Sequence, residues 1–138
     1  MKVMDVMTKN VATLNRNDSI QRAAQLMSQY NVGSIPICEN NKVVGVITDR
    51  DIALRNVAQG LDNNMKVGDA MTSNPVLANK DMDINDAARI MSERQIRRLP
   101  VEENQNVVGI VSLGDIAIEP KHDDEAQRAL SGISEQNN

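Results

Sequence analysis

Two short spacings in this 138-residue chain can do chemistry: Thr48-x-x-Asp51 and Ser112-x-x-Asp115. A hydroxyl residue followed three positions later by an acid is a helix-start signal. The hydroxyl caps an orphan N–H group, and the acid suits the positive end of the helix. The same geometry has a second use. A carboxylate accepts hydrogen bonds from both hydroxyls of a ribose, a hydroxyl donates to a phosphate, and a helix start attracts anions. Capping and ligand binding are both open on these residues, and they are compatible. Arg50 lies inside the first spacing and Gly114 takes its place in the second. An arginine at a helix start opposes the dipole unless an anion is bound, or it is a solvated surface side chain. Arg97 and Arg98 form a second basic pair, able to hold a phosphate in a bidentate manner or to neutralise Glu93 and Glu102. Adjacent residues at a strand start point to opposite faces, so one of the two at most faces a ligand.

Other chemistries find no support. There is no G-x-S-x-G, P-loop or H-E-x-x-H pattern. The one cysteine, Cys38, and the one histidine, His122, have no metal-ligand spacing. The reading is therefore no enzyme, no catalytic residues, no metal site and no cofactor. With no Phe or Trp and a single Tyr, base-stacking surfaces of the RRM or OB type are excluded. The net charge of −4 is mostly a tail property: residues 119–138 hold five acids and two bases, and the body is near neutral. This balance argues against nucleic acid as a partner. No apolar run reaches the ~20 residues of a membrane span, and no signal peptide opens the chain. The expectation is a cytoplasmic protein without membrane contact.

The elements that position these residues come from an internal repeat. At an offset of 64 and without a gap, residues 3–54 match 67–118 at 20 of 52 positions. Each copy opens on a short apolar stretch, Val11–Leu14 or Pro75–Ala78. A helix follows, with Ile20, Ala23, Ala24 and Met27, or Ile84, Ala87, Ala88 and Met91, on one face. In the first copy Asp18 and Gln21 fit a capping box. Two β-rich runs come next, Ser34–Cys38 with Val43–Thr48 and Arg98–Glu102 with Val107–Ser112, joined by tight turns containing Asn. A second helix closes each copy, over about 49–58 and 113–118. The unit is β-α-β-β-α. A core of ~60 residues with Leu, Ile and Val but almost no aromatics is marginal alone, so the two copies should pack through their sheets. The domain reading is 1–62, 63–119, and an acidic tail at 120–138 with a short helix near 123–131 or no order.

The chain resembles a stand-alone CBS-domain pair, or Bateman module. The resemblance rests on Asp5-Val6-Met7-Thr8, on Val32-Gly33-Ser34-Ile35-Pro36-Ile37 and on Gly45-Val46-Ile47-Thr48-Asp49-Arg50-Asp51-Ile52. Their copies are Asp69-Ala70-Met71-Thr72, Ile96-Arg97-Arg98-Leu99-Pro100-Val101 and Gly109-Ile110-Val111-Ser112-Leu113-Gly114-Asp115-Ile116. It spans about residues 3–118. It implies an α/β fold of two pseudosymmetric CBS repeats and a regulatory, energy-sensing module. The implied ligand is an adenosine compound (AMP, ADP or ATP) held between repeats, and the module signals to an effector protein in trans. S-adenosylmethionine sensing and a ligand-free dimeric scaffold are the alternatives. One implied site joins Ser112, Gly114, Asp115, Arg97 and Arg98 to Val11, Ala12 and Gly33. The other joins Thr48, Arg50 and Asp51 to Val76. The aspartates read ribose, Thr48 and Ser112 meet phosphate, and the backbone at Val11-Ala12 and Val76-Leu77 meets adenine. A homodimer is implied through the helices near Ile52-Ala53-Leu54 and Ile116-Ala117-Ile118.

Overall fold

The computed structural model describes residues 1–117. The tail and its expected helix, with His122 and Ile118, lie outside the described residues. The fold is mixed α/β and divides into two compact units. One is the continuous stretch Val11–Pro75; the other combines Met1–Asn10 with the chain from Val76 onward. The units thus do not follow the repeat boundary: the opening residues of each sequence repeat belong with the unit built by the other.

In the unit 11–75, helix α2 (Ile20–Tyr30) buries Ile20, Ala23, Leu26 and Met27. Ala24, expected on that face, is exposed, whereas its copy Ala88 is buried. The cap also differs from expectation. Ser19 Oγ, not Asp18, accepts from the helix, with Arg22 N at 3.0 Å. Asp18 instead accepts from Asn15 N at 2.8 Å and so shapes the turn before the helix. The connection 59–66 also serves the start of this helix. Asn63 O and Met65 O accept from Gln21 N and Ile20 N at 3.0 and 2.8 Å, satisfying first-turn donors that a helix leaves orphaned. The helix packs against the hairpin of β1 (Ser34–Glu39) and β2 (Lys42–Thr48). Asn40 and Asn41 turn it with φ of 52° and 66°, the left-handed geometry a two-residue hairpin turn requires. The expected first strand shrinks to one parallel bridge, Leu14 to Ile37. β2 leads into α3 (Asp49–Ile52), which runs on as a π-helical turn, Ala53–Val57. A 3₁₀ turn (Val67–Asp69) and β3 (Thr72–Ser73) then return to β2, pairing Ser73 with Gly45. Leu14, Ile20, Ile35, Ile37, Ile47, Val67 and Met71 fill the core.

The other unit repeats the plan. Its short helix α1 (Val3–Val6) and Met7-Thr8 close on the later chain: Val3 N donates to Met82 O, and Thr8 and Ile110 exchange both backbone bonds at 2.8 and 3.0 Å. β4 (Ala78–Asn79) runs parallel to β5 (Arg98–Glu103), which pairs with β6 (Asn106–Ser112). Helix α4 (Ile84–Arg94) and α5 (Leu113–Ala117) complete a core of Val3, Ile84, Met91, Leu99, Val101, Val111 and Ile116. Both hairpins carry a bulge at the matching place, after Ile37 and after Val101. Here the turn is Asn104-Gln105, with Gln105 at φ 70°. A glutamine pays for positive φ in steric strain, about 1–2 kcal/mol for a side-chain-bearing residue. Gln105→Gly is therefore expected to raise stability by about 0.5–1 kcal/mol, read as a higher urea midpoint with an unchanged slope.

Candidate functional site

Both hydroxyl–acid spacings form full capping boxes. Thr48 Oγ1 accepts from Asp51 N at 3.0 Å, and Asp51 Oδ2 accepts from Thr48 N at 3.0 Å. Ser112 Oγ accepts from Asp115 N at 3.1 Å, and Asp115 Oδ2 accepts from Ser112 N at 2.9 Å. The boxes hold each carboxylate against the end of a β-strand. They use one oxygen of each aspartate and leave the other. Asp115 Oδ1 has no partner among the described residues, and Asp51 Oδ1 faces only Arg55 Nε at 3.9 Å. Each hydroxyl accepts from the backbone and keeps its proton to donate. Capping therefore occupies half of each group and orients the rest.

Around Asp51 the unit 11–75 gathers Thr48, Arg50 and Gly33. Asp49 N donates to Gly33 O at 2.9 Å, which fixes the segment before β1 beside the start of α3. A Cβ on Gly33 would stand 2.8 Å from Asp49 Oδ2, so the missing side chain makes room for a second carboxylate. The repeat gives Asp49 no signal, because its copy is Leu113, buried in the other unit's core. Val11 and Ala12 are half-buried, outside regular structure, in this same unit.

Around Asp115 the other unit gathers Ser112, Gly114, Arg97 and Arg98. Arg98 is the cross-strand partner of Ser112, which sets the two on one face of the hairpin. Arg97 O accepts from Leu113 N at 3.0 Å. Both arginines are exposed residues, and among the described residues neither forms an ion pair; the same is true of Arg50. Glu102, the suggested neutralising partner, is taken up by Asn79 Nδ2 and Gln105 N. Gly114 is open: a Cβ there would meet only Ser112 Oγ, at 3.5 Å. Val76 is half-buried and packs against this unit's core.

Two features lie away from these groups. A cleft of about 510 Å³ is lined by Arg16, Val43, Val44, Met71, Ser73, Asn74 and Pro75, and includes none of the expected ligand residues. Arg16 is committed there to Glu39. Cys38 is half-buried in β1, and burial pushes its thiol up, which keeps it protonated and unreactive near neutral pH. Among the described residues, no three His, Cys, Asp or Glu side chains cluster to hold a metal, and no helix is long and apolar enough to cross a membrane.

A family model described as "CBS domain" matches residues 3–56 and again 67–121. The "CBS domain-containing protein YhcV" of Bacillus subtilis is 47% identical over 135 residues, covering 98% of this chain and 96% of that protein. Among solved structures, the CBS domain pair of protein MJ0100 in complex with 5′-methylthioadenosine and S-adenosyl-L-methionine is 34% identical with a TM-score of 0.77, over 86% of this chain and 94% of that one. CBSX2 in complex with AMP is 30% identical with a TM-score of 0.76, over 89% and 98%.

Proposed function

The chain belongs to the CBS-domain family, and on that premise we propose that it is a regulatory module that binds an adenosine-containing ligand, AMP, ADP or ATP. The observation that carries this reading is the half-used capping box. Each aspartate keeps one oriented oxygen, next to a hydroxyl with a proton to donate, beside a strand start. That is the donor–acceptor set a ribose phosphate needs. The adenosyl ligands bound by MJ0100 and CBSX2 support it. Val11-Ala12 and Val76 are the proposed adenine contacts. The module acts on an effector in trans and works as a homodimer; exposed Leu54 on the π-helical turn offers apolar surface for self-association. Competition between AMP and ATP would make it report energy state.

A second reading, S-adenosylmethionine, is favoured at one place by Asp49, whose carboxylate beside Gly33 suits a cationic or neutral adenosyl group better than a phosphate. The arginines favour phosphate in the other unit. Charge-assisted contacts of this kind contribute about 1.5–3 kcal/mol. Arg97→Ala/Arg98→Ala is thus expected to cut the AMP-over-adenosine preference about tenfold or more, and Arg50→Ala by a different amount, in calorimetric titrations. The first experiment is a thermal-shift panel of AMP, ADP, ATP, adenosine and S-adenosylmethionine. A ligand at ~100 times its Kd adds about 2.7 kcal/mol of stability. A flat panel would leave the ligand-free scaffold as the function.

A further inference from the structure

Arg55 sits in the π-helical turn that continues α3. Its Nη1 donates to two successive carbonyls, Ala70 O at 3.1 Å and Met71 O at 3.0 Å. Its Nε stands 3.9 Å from Asp51 Oδ1, the oxygen that the capping box leaves over. The Asp51 side chain is only 12% exposed, so this cation is a large part of what the carboxylate meets on that side. We infer that Arg55 is a positioning residue for the Asp51 carboxylate, holding it at the angle at which it accepts from the ribose hydroxyls of a bound adenosyl ligand. The inference rests on the function proposed above.

The physical case has three parts. A single backbone bond to Oδ2 sets the general direction of the carboxylate but still lets its plane rock about that bond. A cation facing Oδ1 limits that rocking. The guanidinium is a rigid fork, and anchoring Nη1 on two carbonyls keeps Nε from following solvent; a lysine has the charge without the fork. The anchoring carbonyls also belong to the segment that opens the second sequence repeat, so the setting of Asp51 depends on that segment being seated against β2. At the offset of 64 the counterpart of Arg55 is Glu119. The second copy thus carries an acid where the first carries a cation, and the sequence does not repeat the device at that position.

The test compares adenosine with 2′,3′-dideoxyadenosine, by calorimetry on the full chain carrying Asp115→Ala, which removes the second ribose acceptor. Arg55 is kept, or changed to Met or Lys. Arg55→Met is expected to weaken adenosine about fivefold, the scale of one partly exposed ion pair, and to leave dideoxyadenosine within about twofold. Arg55→Lys should recover part of the adenosine affinity. Equal losses for both ligands would overturn the inference and make Arg55 a structural strut. Unchanged adenosine affinity would overturn it as well. If the Asp115→Ala parent already fails to prefer adenosine, the ribose reading of Asp51 falls, and that failure is seen before Arg55 is altered. Thermal melts of all three proteins guard against unfolding, and the lysine variant keeps the test usable if the methionine variant does not fold.

Discussion

Asp51→Ala and Asp115→Ala are each expected to weaken adenosine binding at one site by at least about 100-fold. Two hydrogen bonds from ribose hydroxyls to a carboxylate are lost, each contributing about 1.5–3 kcal/mol. The same change removes the acid arm of a capping box, Asp51 Oδ2 to Thr48 N or Asp115 Oδ2 to Ser112 N. That costs about 1 kcal/mol of stability, far too little to unfold the protein. The two effects separate cleanly. Urea denaturation reads the cap, and calorimetry reads the ligand. Asp→Asn keeps one oxygen acceptor and should lie between wild type and alanine in affinity. If both alanine variants lose stability but bind adenosine like wild type, the aspartates are caps and nothing more.

The second large effect concerns Gly109. A Cβ at this position would lie 2.8 Å from Thr8 O, 3.0 Å from Met7 Cγ and 2.7 Å from Met7 Sδ. The methionine can swing aside. The Thr8 carbonyl cannot, because it accepts from Ile110 N at 3.0 Å. Gly109→Val is therefore expected to destabilise by about 3 kcal/mol and to loosen the first ten residues from their unit, read as lost amide protection at Thr8 and Ile110. Gly60→Ala is the control. It has φ 67° and open space around it, so only backbone strain is added, about 1 kcal/mol. Comparable losses at the two positions would show that close approach at Gly109 is unimportant.

Much of the fold was legible because its signals are local. Asn40-Asn41 announced a hairpin since asparagine tolerates positive φ, and the spacing of Ile84, Ala87, Ala88 and Met91 described a buried helix face. The cap was misread because Asn17-Asp18-Ser19 offers three capping side chains in a row, and backbone geometry alone chooses among them. The boxes at Thr48 and Ser112 were legible as pairs. Arg55 was not: it reaches carbonyls, which carry no sequence signature, and its repeat counterpart has the opposite charge. The assignment of opening segments to units was equally hidden. Met7 and Met71 are the same residue in the same motif, so sequence symmetry cannot say over which glycine each one closes.

That assignment bears on how the chain is made. Residues 11–75 form an uninterrupted unit, and every part of it has left the ribosome before the other unit can begin to close. Met1–Asn10 must wait, since the partners of Val3 and Thr8 are Met82 and Ile110, synthesised about a hundred residues later for the second. Domains form as they emerge, N-terminal ones first. Here residues 1–10 are among the last to find their place, and the order of folding departs from the order of synthesis. Once the intervening unit has folded, it also shortens the loop that Thr8 must close, because a compact body replaces a long flexible chain. A nascent chain with residues up to about 80 clear of the ribosome would carry one finished unit beside a segment, residues 1–10, that still lacks its partners, a species with its own exposure to proteases and chaperones.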